Sequence, residues 1–318
     1  MASPEITLTH LDEPLFDGAG ATKRDLVDYL EAVGDRIVSV LNGRPLSVIR
    51  VRAGQRPFMQ KNLPDYAPPW IRTVTMWAES SHREVRYALV ADKPTLIWFA
   101  NQRAVEYHVT LGTAEHLDRP SYLVLDIDPP AAGEFGRAVA AAKLVREALS
   151  GAGLAGAVKT SGAKGVHIYV PVQESISADD AAAATRALAE RAARLDPGLA
   201  TTAFIKADRG GMVFIDSTRA HGATVVAPYS PRARPGVPVS FPVAWDSLDD
   251  VSPEDFTVRN AARLLGDADP WAAALPSPQA LPEDLVAEGH AIPIARVQAM
   301  HEGKRRARAR RGPPDAAG

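Results

Sequence analysis

The alternation of apolar and polar positions divides the chain into helices and short strands. From Thr22, a residue suited to a helix N-cap, Leu26, Tyr29, Leu30, Val33, Ile37 and Leu41 recur at helical spacing and predict one helix over 23–41. Extended segments follow at 46–51, 72–77 and 85–90. A further one is expected at 95–100, with Asp92-Lys93-Pro94 as the intervening turn, and 102–107 reads as a short helix. The middle of the chain is the clearest. YLVLDID at 122–128 is a strand stopped by Pro129-Pro130, and 134–149 is an alanine-rich amphipathic helix. Strands at 157–160 and 166–170 flank a glycine-containing turn. A second helix spans 179–195 after the cap candidates Ser177 and Asp179, and short strands are expected at 212–216 and 224–227. A proline-rich arm covers 228–242. Beyond Phe256 the chain reads as helical and then as a basic tail without a fold of its own. Strands interleaved with helices imply a mixed α/β (α+β) core.

Composition narrows the function classes. Hydrophobic content of 46% and charged content of 23% are those of a folded domain. With no cysteine, disulfide frameworks, zinc ribbons, iron–sulfur clusters and thiol nucleophiles are excluded. No apolar run approaches the roughly 18 residues of a membrane span, and MASPEITLTHLDEP lacks the basic and apolar parts of a signal peptide. A cytoplasmic protein with no membrane partner is therefore expected. The net charge of −2 conceals segregation. Residues 36–63 contain no acid but carry Arg36, Arg44, Arg50, Arg52, Arg56 and Lys61, and 217–245 carry only Arg219, Arg232 and Arg234. The last 15 residues hold six basic side chains and one acid, leaving 30 basic and 37 acidic residues for the rest. Such clustering suits local contact with phosphate, or equally a solvated face.

Asp126 and Asp128 lie two apart at a strand end, so both carboxylates project from one face with Cα atoms roughly 6.5–7 Å apart. That spacing lets them share a pair of divalent ions about 3.5–4 Å apart. Asp216 closes another apolar run, Met212-Val213-Phe214-Ile215, and is the third carboxylate such a site needs. Taken singly, each motif equally describes a strand finished by solvated acids. Ser161-Gly162-Ala163-Lys164-Gly165-Val166-His167 joins two strands, and its glycines allow amides, the Ser161 hydroxyl and the Lys164 ammonium to face a triphosphate. A glycine-rich hairpin with a solvated lysine is the plainer reading, and His167 within an apolar strand reads first as a core histidine. Neither a Walker loop, a Gly-x-Ser-x-Gly elbow nor a zinc-protease histidine pair is present.

Taken in order, Thr22-Lys23, Phe58-Met59-Gln60-Lys61, Val105-Glu106-Tyr107-His108-Val109, LDIDPP, TSGAKGVHIYVP, VFIDST and APYSPRARP resemble the primase–polymerase superfamily, and within it the polymerase domain attached to bacterial ligase D. The resemblance runs from about Ile6 to Met300. It implies a primase–polymerase fold, with central β-sheets flanked by helices, as one catalytic domain over 1–300 followed by a tail at 301–318. It implies metal-binding, catalytic carboxylates at Asp126, Asp128 and Asp216, holding two manganese (or magnesium) ions. Ser161, Gly162, Lys164, His108, His167 and Arg232 fall where such enzymes hold an NTP or dNTP. Phe58 matches a template-stacking aromatic, and Lys23 matches a lysine that receives a downstream 5′-phosphate. Arg50, Arg52 and Lys61 are basic residues suited to the DNA backbone.

The implied activity is template-directed nucleotide addition on primer-template, gapped or broken DNA. The implied setting is non-homologous end joining at the nucleoid, as a stand-alone protein with a separately encoded ligase and end-binding protein, and with ready ribonucleotide incorporation. Three departures stand out: Met59 replaces a second aromatic, Glu13 replaces a phosphate-binding lysine, and Leu111 lies where a tryptophan often follows His108. Rival readings are a two-metal nuclease and a catalytically silent DNA-end-binding module.

Overall fold

The computed structural model describes residues 4–52, 54–78, 82–220, 224–294 and 300. In chain order these form α1 (Lys23–Ala32), α2 (Gly34–Leu41), β1 (Leu46–Arg50), β2 (Phe58–Gln60), β3 (Thr73–Ala78), β4 (Arg83–Ala88), α3 (Lys93–Asn101), β5 (Ala104–Val109) and β6 (Tyr122–Asp128). There follow α4 (Phe135–Gly151), β7 (Ala157–Thr160), β8 (Val166–Pro171), α5 (Ala178–Leu195), β9 (Ala200–Thr201), β10 (Val213–Asp216), β11 (Val225–Val226), β12 (Pro242–Val243), α6 (Ala261–Leu265), α7 (Pro270–Ala274) and α8 (Glu283–Ala291). No helix among the described residues is long and apolar enough to cross a membrane. The basic tail at 301–318 lies outside the described residues.

Two sheets organise the molecule. One has six strands in the order β12-β7-β8-β6-β10-β9, the other four in the order β11-β5-β1-β2, and β3 and β4 form a separate hairpin ladder. Helices α4 and α5 pack on β6 and on each other, and α8 packs on α5. Leu123, Leu125 and Ile127 are fully buried in the core. Because strand side chains alternate, Asp126 and Asp128 take the other face, away from those helices. That face looks toward the four-stranded sheet, and the two sheets are joined where the Tyr169 hydroxyl donates to the Val226 carbonyl at 3.4 Å.

Three elements differ from the sequence reading. The helix over 23–41 is two helices separated at Val33, just before Gly34, a weak helix former. Residues 95–100, expected as a strand, lie in α3. Asp92 is an N-cap rather than a turn residue, its carboxylate accepting from the Thr95 amide at 2.8 Å, and Pro94 sits in the first turn, where its missing N–H costs nothing. Leu96 through Ala100 are all buried, so no polar face marked the helical period. Residues 102–107, expected as a helix, instead turn at Arg103 into β5, a central strand paired with both β1 and β11. Burial on both faces erased the alternation that would have marked a strand.

Candidate active site

Strand register, not proximity in sequence, builds the site. Asp126 pairs with His167 on one side and Asp216 on the other, and His167 pairs in turn with Lys159. Lys159, His167, Asp126 and Asp216 therefore form one row across β7, β8, β6 and β10, all on the same face, with Asp128 one step along from Asp126. The three carboxylates foreseen as a group are thus brought together.

Each member of the row has a partner. The buried Lys159 ammonium donates to the Ser240 hydroxyl and, at 2.9 Å, to His167 Nδ1. An Nδ1 that accepts leaves the proton on Nε2, which lies 3.2 Å from Asp126 Oδ1 and donates to it. Burial and the nearby Lys159 push His167 down to about 4, so the imidazole offers Asp126 a hydrogen bond rather than a charge. Burial and the Arg232 charge likewise hold Lys159 well below the usual lysine range, against the pull of Asp126. Charge reaches Asp126 from Arg219, whose Nη2 lies 2.7 Å from Asp126 Oδ2 and 2.9 Å from Asp216 Oδ2. Burial alone would raise Asp126, but His167 and Arg219 together hold it below the carboxylate range. Asp128 goes the other way: burial and the adjacent Asp126 charge raise it, and Lys164, at 3.4 Å, only partly offsets them. Asp216 also accepts from the Thr218 amide at 2.8 Å and hydroxyl at 2.6 Å.

The loop between β7 and β8 leans on the row. A Cβ on Gly165 would lie 2.1 Å from the Ile127 carbonyl oxygen, so only glycine lets the loop pack on β6. Gly162 has φ +65°, and a Cβ there would meet the Ser240 amide and the Val239 carbonyl carbon at 2.8 Å. The Ser161 hydroxyl accepts from the Ala163 and Gly165 amides at 3.2 and 3.0 Å, so two amides expected to face a ligand stabilise the turn instead. Lys164 donates to the Pro129 carbonyl at 2.7 Å. Arg232 donates to the Ser161 carbonyl and pairs with Glu106 at 3.1 Å; Glu106 also holds His108 Nε2 at 2.8 Å and accepts from the Ala233 amide at 2.9 Å. Burial works against that carboxylate, but the His108 hydrogen bond and the Arg232 charge bring it down to about 2.

These groups surround a cleft of about 240 Å³ between the sheets, lined on one side by Asp126, Asp128, Ser161, Lys164 and His167, and on the other by His108, Val225, Val226 and Arg232. Asp216 sits beneath Arg219. Among the described residues no group of three or more His, Asp or Glu side chains is arranged as an ion cage. The donor chemistry nonetheless suits a hard cation: one guanidinium nitrogen already touches two of the carboxylates, and the third is under-compensated.

The residues expected to meet DNA divide. Phe58 and Met59 are neighbours on β2 and so face opposite ways. Met59 pairs with Ile49, which pairs with Glu106, placing Met59 on the cleft-side face and 48% exposed. Phe58 takes the reverse face beneath the Arg50 and Arg52 guanidinium groups. Arg52 and Lys61 are exposed. Arg50, read as a backbone contact, is buried with its guanidinium donating to the Gln102 carbonyl, Gln60 and Tyr66, so its donors tie β1 to β2 and to the segments beside it. Lys23 is also buried, donating to the Thr9 carbonyl and, at 2.7 Å, to Asn101, and burial and the Arg103 charge lower it from the usual lysine range. Glu13 is paired with Arg103 and with His10.

Sequence reasoning gave no site role to Lys159, to Glu106, which stood in a quoted motif, or to Arg219, which was counted only in a basic stretch. A lysine inside the apolar run Ala157–Thr160 was a usable signal, since a buried ammonium needs partners. Glu106 was hidden by reading 102–107 as a helix; only a strand puts Glu106 and His108 on one face.

Comparison with known proteins now adds to this geometry. A family model described as the LigD primase-polymerase domain matches residues 22–271. The bifunctional non-homologous end joining protein LigD of Bacillus subtilis is 32% identical over 260 residues, 80% of this chain and 41% of that protein. The multifunctional non-homologous end joining DNA repair protein LigD of Mycobacterium tuberculosis is 34% identical over 258 residues, 77% of this chain and 34% of that protein. The chain thus spans about two-fifths or less of the length of these relatives. Among solved structures, the polymerase domain from Mycobacterium tuberculosis ligase D in complex with DNA aligns with TM-score 0.76 at 30% identity, covering 86% of this chain and 99% of that one.

Proposed function

This chain belongs to the LigD primase-polymerase domain family, and from that premise we propose that it is a DNA-templated nucleotidyltransferase. It adds NTPs or dNTPs at gaps and broken ends during end-joining repair. The observation that carries the reading is the register that sets Asp126, Asp128 and Asp216 on one sheet face, across a cleft from His108 and Arg232. Those three carboxylates would hold two manganese or magnesium ions, whose chemistry is to acidify the primer 3′-hydroxyl and stabilise charge on the transferred phosphoryl group.

The remaining groups bind and orient. Arg232, aimed by Glu106 and the Ser161 carbonyl, offers a planar fork to triphosphate oxygens, with Lys164 and His108 beside it. His167, fixed by Lys159, holds the Asp126 carboxylate in one orientation. Met59, Arg52 and Lys61 meet the template, the cations touching phosphate without reading sequence. Arg50 and Lys23 are left out of that surface because their donors are spent inside the fold. Chromosomal ends as substrate imply work at the nucleoid, in concert with a ligase and an end-binding protein.

The test is extension of a labelled primer on a gapped template with manganese, comparing NTPs with dNTPs. Asp126→Ala should lower the rate by at least about a thousandfold, several kcal/mol of transition-state stabilisation, while circular dichroism stays unchanged. Near-normal extension by that variant refutes the assignment, and shortening of the strand instead of lengthening identifies a nuclease.

A further inference from the structure

Arg219 occupies the place where a cation shared by Asp126 and Asp216 would sit. Its Nη2 is 2.7 Å from one carboxylate and 2.9 Å from the other, and these belong to neighbouring strands. A divalent ion shared by the same oxygens would need them at about 2.0–2.2 Å, inside the volume the guanidinium fills. The two cations exclude each other.

Three further observations show that the arginine is the part free to leave. Its side chain is 29% exposed, whereas those of Asp126 and Asp216 are 13% and 9% exposed and are fixed by His167 and Thr218. Its Nε is buried with no acceptor among the described residues, so the seat satisfies only one end of the fork. And it lines the same cleft as Ser161, Lys164 and Arg232, where an entering triphosphate offers several acceptors.

We propose that Arg219 is a built-in competitor of the divalent cation, neutralising the carboxylates until a nucleotide triphosphate draws it aside. The inference rests on the metal reading above and deepens it: ion and nucleotide bind cooperatively because each removes what opposes the other. Linkage makes the effect reciprocal, so whatever Arg219 costs the ion, the ion costs the Arg219 ion pairs.

The probe is Mn2+ alone, titrated into the full chain without nucleotide, with the free aqueous ion followed by electron paramagnetic resonance. Arg219→Gln should bind Mn2+ at least about tenfold more tightly than the wild type, the low end for loss of a close charge contact. Arg219→Lys, with a single shorter donor, should fall between them and provides the measurement should the glutamine variant not fold. Adding Asp126→Asn to Arg219→Gln should abolish the gain. Thermal unfolding gives an independent readout: without metal Arg219→Gln melts lower than the wild type, and Mn2+ raises its midpoint by more. If Arg219→Gln binds Mn2+ no more tightly than the wild type, the competition is overturned and the polymerase reading stands. If no form binds Mn2+, the metal reading falls and takes the competition with it.

Discussion

The two sheets carry charge in opposite ways. The six-stranded sheet buries it: Lys159, His167, Asp126 and Asp216 lie in a single row, each hydrogen-bonded or ion-paired, largely out of water. The edge of the four-stranded sheet exposes it: Arg52 and Lys61 stand in solvent near Met59, while the one buried arginine there, Arg50, serves the fold. Burial makes each interaction in the first region strong and its loss costly, because a stranded partner stays desolvated. Exposure makes each contact in the second weak, screened by salt and replaceable. One region is built for geometry, the other for adhesion.

The sharpest way to break this contrast is inside the row. Lys159→Met should cut kcat about a hundredfold, by releasing His167 and with it Asp126, yet leave the Kd for primer-template unchanged. Its Tm should fall, since His167 Nδ1 and the Ser240 hydroxyl lose a buried donor, so kcat is measured well below the midpoint. A loss of activity that merely tracks a loss of Tm would make Lys159 structural only. The next effect concerns pH. His167 is driven from 6.5 to about 4 in the fold, so the unfolded chain binds the extra proton first as pH falls. Its stabilising contribution is complete above pH 6.5, declines through that interval, and is lost below pH 4, on the order of 3 kcal/mol in all. Urea unfolding between pH 7 and 4 should show this slope, and His167→Gln should flatten it. The smallest effect belongs to the exposed edge. Met59→Ala should raise the Kd for primer-template about fivefold with kcat intact, the lower end of a base–platform contact. Phe58→Ala should do less to Kd but lower Tm, because that ring packs under Arg50 and Arg52. The reverse ranking would show that the register misassigns the platform.

Legibility followed the same divide. Asp126, Asp128 and the loop from Ser161 to His167 could be placed because their strands end in clear stops, Pro129-Pro130 and the paired glycines. That Asp216 would face Asp126 was not derivable from spacing, since register is a property of pairing between strands whose paired residues lie 86 to 90 positions apart in the chain; the family resemblance supplied it. The four-stranded sheet was misread at β5 because a strand buried on both faces lacks alternation, and its neighbour α3 because a capping aspartate looks like a turn. Arg50 was chosen for its charge, which says nothing of the carbonyl that takes up its donor, whereas Lys23 was placed by the family resemblance, which does not report its bonds to Thr9 and Asn101.

The row has a consequence for descent. Its four members sit on four strands, Lys159 and His167 only eight residues apart but both aspartates far from them in the chain, and Lys159, His167 and Asp126 lean on one another. A lineage that gives up Asp126 inherits a desolvated ammonium with nothing to balance it, and should discard Lys159 soon after. In an alignment of relatives the two positions should therefore change together, and chains that retain the lysine without the aspartate should be the rarest class.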